Sequence, residues 1–146
     1  MIYSKSAWIL SKKGDLDMRK ILITGASNGL GLALAEHFLS NGETVVINTR
    51  TLTTANLTEK KIVSSKFKGE HLILPADVKN RKQVQDLFAS ACKRVGQIEV
   101  LINCAGINID KSFMEMDDDS WDEVVNTHLK GTFISSHEFA RQYEAS

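Results

Sequence analysis

A short apolar run followed by a stretch of helical spacing occurs four times between Lys20 and the end of the chain, and this alternation constrains the fold most. Repetition of this kind predicts a doubly wound parallel α/β sheet with right-handed crossovers and helices on both faces. Lys20-Ile21-Leu22-Ile23 reads as the first buried strand, and Leu30, Leu34 and Phe38, four apart, mark a helix to Leu39. Asn41-Gly42 stops it. Thr44 to Asn48 is the second strand, with a weak helix expected over about 55–66. His71 to Leu74 is the third strand. Asn80 reads as an N-cap with Gln83 in the capping-box position. Val84, Leu87, Phe88, Ala91 and Val95 form an apolar helical face that ends at Gly96. Ile98 to Ile102 is the fourth strand. After a loop over 107–116, Ser120 with Glu123 suggests a second capping box. A long helix carrying Trp121, Val124, Val125, Leu129 and Phe133 follows.

Between the first strand and its helix lies Thr24-Gly25-Ala26-Ser27-Asn28-Gly29-Leu30-Gly31. Three glycines in a strand-to-helix turn aim free backbone N–H groups and a positive helix end at one point, a natural phosphate site. A side chain at these positions would block close approach or clash with the strand. In open parallel sheets ligands bind beyond the carboxyl ends of the strands. The glycine turn, Arg50, Asp77 and Asn103 to Gly106 each follow one of the four strands, so all are expected on one rim.

Composition sets the remaining bounds. The 146 residues are 42% hydrophobic, with 18 basic and 18 acidic side chains, enough for one core and hardly for two. The zero net charge argues against a nucleic-acid face or a membrane contact, and no apolar run is long enough to cross a bilayer. Cys92 and Cys104 have no metal-ligand spacing, no metal site is expected, and a reducing cytoplasm is the simplest setting. Residues 1–17 are expected to form a loosely held extension, with translation starting at Met18. Residues 18–146 form the domain.

These residues resemble the classical short-chain dehydrogenases/reductases over residues 18 to about 143. Thr24 to Gly31 is similar to that family's Thr-Gly-x-x-x-Gly-x-Gly turn, Asp77-Val78 to its pair after strand three, and Asn103-Cys104-Ala105-Gly106 to its Asn-Asn-Ala-Gly. Trp121-Asp122 and Leu129-Lys130-Gly131-Thr132-Phe133 resemble its fourth helix. The glycine spacing fits classical members and not the sugar-nucleotide epimerases.

The resemblance implies a Rossmann-type fold and a nicotinamide dinucleotide. Gly25, Gly29, Leu30 and Gly31 would wrap the pyrophosphate, with Ser27 and Asn28 bonding the adenosine ribose or its phosphate. Ordinary turn chemistry explains Ser27 and Asn28 nearly as well. Asp77 would accept from the adenine amino group, completed by the Val78 backbone. Asn103, Ala105 and Gly106 would line the nicotinamide ribose, and Cys104 reads as a small buried filler. At the end of strand two, Asn48-Thr49-Arg50 offers no acid for a ribose hydroxyl pair. Arg50 suits a 2′-phosphate, so NADP is expected over NAD.

Two departures follow. His128 stands where the family has asparagine, whose main-chain carbonyl holds a water in a proton relay. The histidine keeps that carbonyl and is expected to turn inward as a packing residue, leaving only a weak catalytic candidacy. The family's serine and Tyr-x-x-x-Lys have no match. Tyr143 falls in or just after the fourth helix and is expected on its surface.

The reading is therefore the amino-terminal part of an NADP-dependent ketone/alcohol oxidoreductase, closest to the 3-oxoacyl-acyl-carrier-protein reductases. Its substrate would be a small or carrier-bound carbonyl compound. The complete enzyme is expected to be a homo-oligomer, and this piece to bind cofactor without turnover. A catalytically silent dinucleotide-binding module is the alternative. A methyltransferase shares the glycine turn but usually has an acid after strand two.

Overall fold

In a computed structural model that describes residues 18–144, the expected alternation is present. The elements are β1 (Lys20–Thr24), α1 (Gly29–Ser40), β2 (Thr44–Thr49), α2 (Leu52–Val63), β3 (His71–Pro75), α3 (Arg81–Val95), β4 (Val100–Asn103), α4 (Asp118–Val125) and α5 (Gly131–Glu144). The expectation for residues 1–17 lies outside the described residues. All strands pair in parallel in the order β3-β2-β1-β4, with Ile23 opposite Ile47 and Ile102. The chain winds outward from β1 to β3, then returns to place β4 on the other side of β1. The carboxyl ends of β1 and β4 thus flank the point where the winding reverses, where a crevice opens.

Strand alternation builds one core in two layers, one on each face of the sheet. Ile21, Ile23, Val45 and Ile47 meet Ala35, Leu39 and Ile62 on one face. Leu22 and Val46 meet Val84, Leu87, Phe88, Ala91 and Ile134 on the other. Successive side chains in a strand point to opposite faces, so a continuous apolar run serves both layers.

Several boundaries differ from the sequence expectation, each for a local reason. Helix α2 starts at Leu52, earlier than expected, because Thr51 caps it: its hydroxyl accepts from the Thr54 N–H at 3.2 Å, and Thr54 answers in a capping box. Asn80 caps α3 as expected, but Gln83 Oε1 accepts from the Asp77 N–H at 2.8 Å instead of closing a box. Asp117, not Ser120, caps α4, accepting from the Ser120 N–H at 2.7 Å. Its carboxyl is held well below the usual range, chiefly by the bond from Lys111 and then by Ser120. Strand β4 starts at Val100 because the Gln142 side-chain amide occupies both backbone groups of Ile98, at 2.9 and 3.0 Å.

The long last helix is broken by one π-helical turn, Asn126–Lys130, between α4 and α5. The Thr127 hydroxyl bonds the Glu123 carbonyl at 2.8 Å. At the start of α5, a Cβ on Gly131 would lie 2.7 Å from Val78 Cγ2, so glycine lets the helix backbone close on the loop after β3. Three large apolar residues face outward here, Trp121, Leu129 and Phe133, whereas Thr127, Ser135 and Glu138 are buried beside the core residue Ile134.

Glu138 shows how a charged side chain sits inward beside Ile134. Its carboxylate takes Arg81 at 3.1 Å and Arg141 at 3.0 Å, tying α3 to α5. Burial works against its charge, but Gln85, Arg141 and Arg81 outweigh this and hold its carboxyl below the usual range. A depressed folded pKa contributes stability above the unfolded value, lost as pH falls through the folded one. Thermal melts over a pH series should therefore show part of the acid destabilisation disappearing in Glu138→Gln.

Candidate functional site

Two adjoining hollows open at the carboxyl rim of the sheet. One, of about 250 Å³, is lined by Gly25, Ser27, Asn28, Arg50, Asp77, Val78, Ala105 and Gly106 among others. The second, of about 380 Å³, adds Gly29, Leu30, Gly31, Asn103 and His128. Every site residue named from sequence thus lies along one continuous lip.

The glycine turn is shaped by contact with the β4 loop. Gly25 adopts φ +64°, and a Cβ there would lie 2.5 Å from Ala105 Cα. A Cβ on Gly31 would meet Ala26 Cα and the Gly25 carbonyl at 2.9 Å. Gly29, at φ +52°, would meet nothing within 4 Å. That leaves an open space before the first turn of α1, whose leading N–H groups have no partner within the helix. Asn28 is extended and makes no side-chain cap bond, while the Ser27 carbonyl accepts from Lys61 Nζ at 3.3 Å.

Two buried polar side chains, given no role from sequence, hold the lip together. Thr24 Oγ1 accepts from the Cys104 and Ala105 N–H groups at 3.1 and 3.2 Å. Asn48 Nδ2 donates to the carbonyls of Thr49, Leu74 and Ala76 at 3.1, 3.2 and 3.1 Å. The available signal was a polar residue directly after the apolar run of each strand, Thr24 after Ile23 and Asn48 after Ile47. Thr54, Lys79, Ile107 and Thr127, which also line the cleft, carried none.

Arg50 is exposed at the end of β2, and among the described residues no carboxylate pairs with it. The Asp77 carboxylate is oriented by the Lys79 N–H, which donates to Oδ1 at 2.9 Å. Val78 is buried against Gly131. The Asn103 amide donates to Ser136 Oγ on α5 at 3.2 Å. Burial pushes the Cys104 thiol up, which favours its neutral form.

His128 is not turned inward. The π-helical turn leaves it exposed, with its ring over Gly106, where a Cβ would lie 2.6 Å from Cε1. Its Nε2 lies 3.1 Å from the Ile107 nitrogen and 2.8 Å from the Ile107 oxygen. One ring nitrogen can accept from the first or donate to the second, so His128 pins the loop after β4 in either case. Tyr143 is half-exposed on α5 as expected. Its hydroxyl donates to the Ile98 carbonyl at 2.8 Å, at the amino end of β4 and away from the cleft.

The family model described as short chain dehydrogenase matches residues 19–146, and the chain belongs to this family, which binds NAD(P) and catalyses oxidoreduction. An uncharacterized oxidoreductase of Mycobacterium bovis is 32% identical over 120 residues, covering 81% of this chain and 47% of the relative. The short-chain reductase protein NovJ of Streptomyces niveus is 34% identical over 122 residues, 82% of this chain and 45% of that protein. The crystal structure of a short chain dehydrogenase from Mycobacterium smegmatis superposes with a TM-score of 0.81 at 24% identity, covering 88% of this chain and 53% of that one. The chain therefore spans about half the length of the curated relatives it matches.

Proposed function

We propose that this chain is the cofactor-binding portion of an NADP-dependent oxidoreductase that interconverts a ketone and a secondary alcohol, of the 3-oxoacyl-acyl-carrier-protein reductase kind. The observation that carries the cofactor reading is the gathering of Gly25 to Gly31, Arg50, Asp77 and Asn103 to Gly106 on one lip. The cradle fits a dinucleotide: glycine at 25 and 31 lets the turn pack closely on Ala105 and Ala26, and the space at Gly29 is open. In this reading the α1 amides hold the pyrophosphate, Asp77 takes the adenine amino group, and Arg50 takes the 2′-phosphate. The bound nucleotide supplies the hydride. The outward Trp121, Leu129 and Phe133 support association of the complete enzyme into homo-oligomers. Free Cys92 and Cys104 are consistent with the cytoplasm.

The sequence contains no Tyr-x-x-x-Lys, and the Tyr143 hydroxyl is occupied far from the cleft. The 146-residue chain accordingly binds NADPH without turning it over. This favours the second reading, a silent dinucleotide-binding module, for the chain by itself.

Fluorescence titration tests the cofactor choice. Arg50→Ala should weaken NADPH binding by about tenfold or more while changing NADH binding by less than about twofold, since only NADPH offers a charge-assisted partner. Equal losses for both nucleotides would overturn the NADP assignment.

A further inference from the structure

A cation stands beside Asp77 and is held off it. Lys79 Nζ lies 3.9 Å from Asp77 Oδ2, beyond hydrogen-bond reach, while it donates to Glu123 Oε1 and Oε2 at 2.6 and 2.7 Å. The Lys79 N–H already occupies Asp77 Oδ1. Oδ2 is then the oxygen of Asp77 that no hydrogen bond fills among the described residues. Lys79 lines the cleft with Asp77, and its four-carbon stem reaches either carboxylate.

We propose that Glu123 is a positioning residue that determines base specificity: by holding the Lys79 ammonium from α4, it keeps Asp77 Oδ2 free to accept from an adenine amino group. This rests on the reading of Asp77 as the adenine contact. Without the Glu123 charge, Asp77 is the carboxylate next to Lys79. An ammonium bonded there competes with a neutral amino donor and, being charged, wins. Glu123 does not touch the nucleotide and acts only through Lys79.

A plain tether between α4 and the β3–α3 loop would behave differently. Losing either partner would then weaken the site alike, and losing both would restore nothing. In the proposed arrangement Lys79 is a restrained competitor. Lys79→Met, added to Glu123→Gln, recovers what the single change lost.

The experiment titrates the full chain with NADPH and with its hypoxanthine analogue, which carries a 6-oxo group in place of the amino group, alongside thermal melts. The unmodified chain should prefer NADPH, and Asp77→Asn should abolish or reverse the preference. Glu123→Gln should weaken NADPH binding by about fivefold without weakening the analogue, and the double variant should recover the preference. If Asp77→Asn behaves as stated but Glu123→Gln keeps the preference, or the double variant fails to recover it, the role of Glu123 is overturned and that of Asp77 stands. A chain that binds neither nucleotide, or shows no preference, overturns the adenine reading and this inference with it. Should Glu123→Gln melt early, the Lys79→Met/Glu123→Met pair, which leaves no unpaired charge, must retain the preference. Its loss overturns the proposal.

Discussion

Gly25→Ala should lower stability by about 2–4 kcal/mol and abolish nucleotide binding. About 1 kcal/mol comes from placing a side chain at φ +64°, a conformation that glycine adopts freely. The rest, about 1–3 kcal/mol, comes from overlap, because the new Cβ would sit 2.5 Å from Ala105 Cα and 2.8 Å from Ala105 N. These are backbone atoms of the neighbouring loop, so no rotamer change relieves the contact. Urea unfolding measures the first effect and NADPH titration the second. Gly29→Ala is the control. It shares the positive φ but meets nothing within 4 Å, so its stability loss should be only about 1 kcal/mol. Equal losses for the two would refute the packing explanation.

Asn48→Asp should be at least as damaging, at about 3–5 kcal/mol, although the two side chains have nearly the same shape. Asn48 is 1% exposed, and its amide nitrogen faces three carbonyl oxygens, of Thr49, Leu74 and Ala76. A carboxylate has no hydrogen to offer them and would bury a charge against their negative ends. Asn48→Leu should be milder, at about 2–4 kcal/mol, since it only leaves those carbonyls and the Gly25 N–H without this partner. Urea unfolding of the two variants gives the ranking. An attempt to recruit NADH by adding an acid after strand two therefore belongs at Arg50 and not at Asn48.

The sheet was legible because burial on both faces leaves a plain mark. Ile21 to Ile23 and Val45 to Ile47 are apolar at every position and 0% exposed. The lip was legible because its residues each follow a strand, and parallel strands put their carboxyl ends on one side. What sequence did not disclose lies in contacts between distant segments. Glu123 looked like half of a capping box, but it reaches across to Lys79, while Asp117 caps the helix. The outward turn of His128 depends on a π-helical turn, and residue spacing carries no mark of that extra residue. The inward face of α5 mixes Ile134 with Ser135 and Glu138, and periodicity does not tell a charged residue that turns inward from one that faces water. There the Glu138 cluster decides.

The join between Thr24-Gly25 and Cys104-Ala105 has a mechanical consequence. Two hydrogen bonds and an interlocked backbone contact make the ends of β1 and β4 move as one body. The crevice cannot widen by parting along that seam. Admitting a long, rod-like molecule by widening would then fall to the other bank, where the exposed Arg50 stands after β2.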